Sequence, residues 1–119
     1  MIGIIGAMDK EVDDLKAIMN GINGSDQPAV EKHAGMQFWI GAISSIEIVL
    51  VRSGVGKVNA AVAAEALAGI YNVEAIINTG IAGSLDAKID IGDVVLSTDA
   101  LEHDMNVTGL GQARGEVPD

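Results

Sequence analysis

Met1-Ile2-Gly3-Ile4-Ile5-Gly6-Ala7-Met8-Asp9-Lys10-Glu11-Val12 is the stretch that decides the fold. A short apolar run of buried-strand type stops at a glycine. Polar residues then alternate with Val12, Leu15, Ile18 and Met19 at helical spacing. The pattern predicts a strand over residues 1–6, a tight turn, and a helix over about residues 9–20. Asp9 is placed to cap that helix, and Glu11 lies in its first turn, where the helix dipole favours a carboxylate by about 0.3–1 kcal/mol.

The same strand–turn theme recurs twice. Residues 46–53 read as a strand that runs into Ser53-Gly54-Val55-Gly56-Lys57, followed by an alanine-rich helix over residues 57–71 with Glu65 as its one acid. Small side chains there suit close packing, so burial on most of its faces is expected. Residues 73–78 read as the next strand, which leads into Asn78-Thr79-Gly80-Ile81-Ala82-Gly83-Ser84. If these strands are parallel, the three turns meet in the crevice beyond their carboxyl ends, where backbone N–H groups and helix N-termini point at ligands.

Between them, the Gly/Asn/Ser/Asp/Pro cluster of residues 21–28 is a loop. Residues 31–43 read as one strand, joined to the 46–53 strand by a hairpin turn at Ser44 and Ser45. Residues 88–92 look like a turn with a short extended segment, residues 93–101 like a last strand, and the chain from Glu102 onward like loop. The expected class is α/β, with a mixed, mostly parallel twisted sheet flanked by helices. No helix follows the last strand, so one flank of the sheet is expected to be uncovered. Such apolar exposure favours association.

Composition narrows the function. The 119 residues carry a formal charge of −10 with no basic cluster, which sets a repulsive field against nucleic acid. With 49% hydrophobic residues but no apolar run of the roughly 20 residues a bilayer requires, a soluble protein is expected, and no secretory signal is visible. Cysteine is absent and the histidines, His33 and His103, are isolated, so no metal site is expected; the lack of cysteine fits a reducing cytoplasm.

Each turn has a plain structural reading beside a functional one. The 53–57 turn has the geometry of a ligand cradle, yet Val51 and Val58 break the phosphate-loop pattern and Asn59 breaks the dinucleotide fingerprint. Glu11 is either a helix-terminus carboxylate or a general base aimed into the crevice. Gly80, Ala82 and Gly83 form an ordinary turn or let the backbone approach a ligand. His103-Asp104 reads as a solvated loop pair.

Taken together, the motifs resemble the nucleoside phosphorylase and nucleosidase superfamily, and within it the 5′-methylthioadenosine/S-adenosylhomocysteine nucleosidases. The resemblance rests on Ile4-Ile5-Gly6-Ala7-Met8 with Glu11-Val12, Ser53-Gly54-Val55-Gly56-Lys57-Val58, Ile76-Ile77-Asn78-Thr79-Gly80-Ile81-Ala82-Gly83, Gly92-Asp93-Val94-Val95, and His103-Asp104 with Val107-Thr108. They stand in family order over the whole chain, which corresponds to about the first half of such an enzyme. Residues 1–119 are therefore expected to be the N-terminal part of a single α/β domain, as a fragment, a truncated product or one piece of a split protein.

The resemblance implies hydrolysis of an N-glycosidic bond with release of adenine, no cofactor, and a place in methionine salvage. Glu11 matches the carboxylate that activates the attacking water. Ala7, Met8 and Val55 match positions around ribose and water, Ile81, Ala82 and Gly83 positions beside water and purine, and Val107 and Leu110 positions near the 5′-alkylthio group. Ile81 stands where many relatives have serine, which removes a hydrogen bond, and Leu110 where an aromatic is common. Expected partners are an adenine nucleoside and either a second copy or a complementing C-terminal fragment. The purine-protonating aspartate, the ribose-binding Met-Glu pair and the stacking aromatic have no counterpart here, so the chain alone is expected to be almost inactive. Two alternatives stay open: a phosphate-dependent purine nucleoside phosphorylase, disfavoured by a carboxylate and no arginine in the first turn, and a non-catalytic α/β module binding nucleosides or a partner.

Overall fold

In the computed structural model, which describes residues 1–118 apart from the side chain of Asn23, the regular elements run β1 (Ile2–Gly6), α1 (Asp9–Ile18), β2 (Ala29–His33), β3 (Met36–Ile43), β4 (Ile46–Arg52), α2 (Lys57–Gly69) and β5 (Ala75–Asn78). The five strands form one sheet in the order β2-β3-β4-β1-β5. β1 pairs in parallel with β4 and β5, while β3 is antiparallel to β2 and β4. Only β3 therefore runs against the other four, and the mixed, mostly parallel sheet flanked by helices is the one the sequence predicts.

Side-chain alternation along the central strands builds two cores. From β4, Val49 and Val51 point with Phe38 and Ile5 into a cluster closed by Ala63, Ala66 and Leu67 of α2. Ile48 and Leu50 point the other way, with Ile4 and Trp39, against Val12 and Met19. A strand covered on both faces reads as a continuous apolar run, as Ile-Val-Leu-Val does here. The helices come close because glycines face them. A Cβ on Gly3 would meet Leu67 Cδ1 at 2.9 Å, and one on Gly6 would meet Val12 Cγ1 at 2.6 Å.

Four expectations are corrected. Residues 31–43 are not one strand: Ala34 and Gly35 both take positive φ (49° and 78°), which turns the chain back on itself and makes β2 and β3 a hairpin. Met8, not Asp9, is the N-cap of α1, because Asp9 already has helical geometry. Burial of α2 is confined to Ala63, Ala66 and Leu67; Val58 is 74% exposed, since one face of an alanine-rich helix is enough to seat it on a sheet. Residues 93–101 form no strand, because no other described segment supplies them with a hydrogen-bond ladder.

The chain divides into two units, Met1–Gly83 and the residues from Ser84 onward. The second carries turns at residues 87–88 and 91–92 and a 3₁₀ helix at Thr108–Leu110, the loop character expected beyond Glu102. Asp119, the last residue of the range expected to form part of the domain, lies outside the described residues. Among the described residues no helix is long and apolar enough to cross a membrane.

Candidate active site

Three strand ends meet as the glycine turns imply. The Ser53 N–H donates to the Gly6 carbonyl at 2.9 Å, tying the exit of β4 to that of β1. The Thr79 N–H donates to the Ile5 carbonyl, also at 2.9 Å, and ties the exit of β5 to the same strand. Gly54 and Gly56 adopt φ of 84° and 102°, conformations that disfavour any side chain, so the 53–57 turn needs both glycines. Asn59 Nδ2 closes that turn by donating to the Val55 carbonyl at 2.8 Å.

Glu11 sits where these ends converge. As the third residue of α1 it reaches back over the N-terminal turn, where the first N–H groups lack helical partners. Its Oε2 accepts from the N–H groups of Ala7 at 2.7 Å and Met8 at 2.9 Å. Its Oε1 accepts from the N–H of Ile81 at 3.1 Å, which lies beyond the end of β5, the strand next to β1 in the sheet. The bonds from Met8 and Ile81, then that from Ala7, favour the charged form and hold the carboxyl below the ordinary glutamate value; partial desolvation works against them. A carboxylate has about four acceptor directions, and two bonds fall on Oε2 against one on Oε1. Oε1 is thus the less engaged oxygen.

Of the other residues singled out from sequence, Ala7, Met8, Ile81, Ala82 and Gly83 lie in the loops that leave β1 and β5, and Val55 lies in the turn that leaves β4. Ala7 and Met8 touch Glu11 through their backbone, and so does Ile81, whose side chain is 77% exposed. The Ile81 main chain therefore holds Glu11 whatever its side chain is. That contact is invisible in the sequence, because backbone donors leave no trace in residue identity. Val107 and Leu110 belong to the second unit, at and just before the 3₁₀ helix, with Leu110 80% exposed.

Sequence reasoning also passed over Arg52. It ends β4 opposite Gly6 in register, and its Nη1 donates to Oδ1 of Asp9. The available signal was a cation directly after the apolar run of a strand whose next turn carries glycines. Among the described residues no group of three or more His, Asp or Glu side chains is placed to hold a metal ion. An open hollow beside Trp39, Lys16 and Gln27 is lined by none of the strand-end residues.

The family model described as the phosphorylase superfamily matches residues 1–119. A 5′-methylthioadenosine/S-adenosylhomocysteine nucleosidase of Staphylococcus epidermidis is 42% identical over 118 residues, which cover 99% of this chain and 49% of the relative. One of Hydrogenovibrio crunogenus is 39% identical over 117 residues, covering 98% of this chain and 48% of the relative. The crystal structure of such a nucleosidase from Colwellia psychrerythraea, in complex with adenine, superposes with a TM-score of 0.92 at 38% identity, covering 98% of this chain and 46% of that one. The corresponding protein of Streptococcus pneumoniae, with the transition-state inhibitor MT-ImmA, gives a TM-score of 0.88 at 38% identity, over 98% of this chain and 48% of that one. The chain spans about half the length of the relatives it matches. Since the family model covers it from end to end, the chain belongs to the phosphorylase superfamily.

Proposed function

We propose that this chain is the N-terminal part of an α/β domain that hydrolyses the N-glycosidic bond of 5′-methylthioadenosine or S-adenosylhomocysteine, with Glu11 as the base that activates water. The observation that carries the reading is the placement of the Glu11 carboxylate, held charged by three backbone N–H groups at the joined ends of β1 and β5. Water on Oε1 would lose a proton to that carboxylate as it attacks the anomeric carbon, and the C–N bond would break through an oxocarbenium-like state. Ala7, Met8 and Val55 would border ribose and water, Ile81, Ala82 and Gly83 the water and purine. Val107 and Leu110 would border the 5′-alkylthio group, where an apolar lining suits a thioether tail.

Charge favours water over phosphate as the nucleophile. Arg52, the cation that ends β4, is engaged by Asp9, which leaves the carboxylate of Glu11 uncompensated by that pair and repulsive to a second anion. Relatives of twice the length support the further proposal that a C-terminal part completes the sheet and supplies the group that protonates the leaving purine. A cytoplasmic homodimer acting in methionine salvage is the setting this reading implies.

The deciding experiment supplies the chain with the C-terminal half of the Staphylococcus epidermidis relative and follows adenine release from methylthioadenosine. The expected outcome is release without phosphate, reduced about 10²–10⁴-fold by Glu11→Gln. A strict requirement for phosphate would favour a phosphorylase, and binding without turnover a non-catalytic module.

A further inference from the structure

Across from Glu11, at the exit of β5, stands a residue with no side chain. A Cβ built on Gly80 would lie 2.9 Å from Glu11 Oε1 and 3.5 Å from its carboxyl carbon. The first distance is shorter than real Cβ atoms tolerate. Gly80 does not have a positive φ, so backbone conformation does not call for glycine at this position. Space does.

We propose that Gly80 is a positioning residue for Glu11: its missing side chain lets the carboxylate lie against the β5 exit loop and keeps Oε1 open to water. The catalytic half of this inference rests on the reading of Glu11 as the base. Three contrasts support it. First, the atoms a methyl group at residue 80 would strike belong to the far end of a flexible side chain, so the carboxylate moves and the sheet does not. Second, the next residue, Ile81, donates the bond that Oε1 accepts, so a displaced carboxylate loses that bond. Third, other glycines of these turns answer to different constraints. Gly6 is hemmed in by buried Val12, whereas a Cβ on Gly83 would meet nothing within 4 Å.

The test compares Gly80→Ala with Gly83→Ala in the chain labelled at the glutamate carboxyl carbons. In Gly80→Ala the Ile81 amide resonance is expected to shift and the Glu11 carboxyl to titrate nearer an ordinary glutamate, with the amide spectrum of β1 and β4 unchanged. In Gly83→Ala neither is expected to move. With the complementing half supplied, Gly80→Ala should lower kcat for adenine release by about tenfold to a hundredfold with little change in KM, and should add nothing to Glu11→Gln. An unmoved Glu11 titration and Ile81 amide in Gly80→Ala would overturn the proposal. A shifted carboxylate with undiminished adenine release upholds the placement by Gly80 and removes the general-base reading. Should Gly80→Ala not fold, Glu11→Ala/Gly80→Ala folds if the carboxylate is the obstacle, and its failure to fold also overturns the proposal.

Discussion

β4 and residues 93–101 are both apolar stretches rich in valine and leucine, and they occupy opposite environments. In β4, Val49, Leu50 and Val51 are wholly buried, laddered to β1 on one side and β3 on the other and covered by a helix-bearing core on each face. In the second unit Val94 and Leu96 are each 89% exposed and pair with no strand among the described residues. The difference shows that β-branched and leucine-rich sequence gives a strand only where neighbours supply both hydrogen-bond partners and cover.

The strongest way to break this comparison is to make one substitution on each side of it. Leu50→Ala leaves a cavity in a sealed core and is expected to cost about 2–5 kcal/mol, a large share of a typical domain's stability. Leu96→Ala removes a side chain already in solvent and is expected to change stability by less than about 0.5 kcal/mol. Urea unfolding midpoints at fixed m report both. Equal losses would mean that residues 93–101 are as well packed as β4.

A middle-sized effect sharpens the packed side. Gly6→Ala would drive a methyl group to 2.6 Å from Val12 Cγ1, an over-packing expected to cost about 1–3 kcal/mol. The same unfolding experiment would show the glycine to be dispensable if Gly6→Ala matched the parent chain.

Much of this is legible in the sequence. The strand–glycine–helix sequence at residues 1–12 and the buried run of β4 follow from periodicity, and the joined strand ends follow from parallel pairing. The β2–β3 break is not legible there, because Ala34 takes a positive φ that its side chain gives no reason to expect. Residues 93–101 misled because strand propensity is local and strand pairing is not. At the site, Glu11 is visible as a residue type in a first turn, but its holders are main-chain N–H groups of two loops, and one of them, that of Ile81, lies 70 residues further along the chain. Only the fold brings those together.

A smaller effect concerns acid stability at the strand ends. Because backbone N–H groups hold the folded pKa of Glu11 below its ordinary value of 4.5, this group stabilises the fold above that value and loses its contribution as pH falls through the folded pKa. Glu11→Gln is therefore expected to be less stable than the parent at pH 7, with the gap narrowing as pH falls below 4.5 and gone below the folded pKa. Unfolding curves taken across that interval check it, and a gap independent of pH would mean that the carboxylate is not held as described.

The smallest effect lies at the far edge of the packed unit and leaves the fold intact. Tyr71, the chain's single tyrosine, donates its hydroxyl to Glu31 Oε2 at 2.9 Å and stacks at 5.2 Å from Phe38, so burial first, and the adjacent carboxylate second, raise its pKa well above the ordinary 10. The shift makes a stabilising contribution that is complete below pH 10 and is lost only as pH rises through the folded value. An absorbance titration of the phenolate should accordingly show no step near pH 10 while the chain stays folded. Glu31→Gln should lower the midpoint but leave it above 10, because desolvation remains when the carboxylate is gone. A midpoint at 10 in the parent chain would mean that the Tyr71 ring is open to water rather than packed against Phe38, and the buried side of the comparison would then end short of this corner of the first unit.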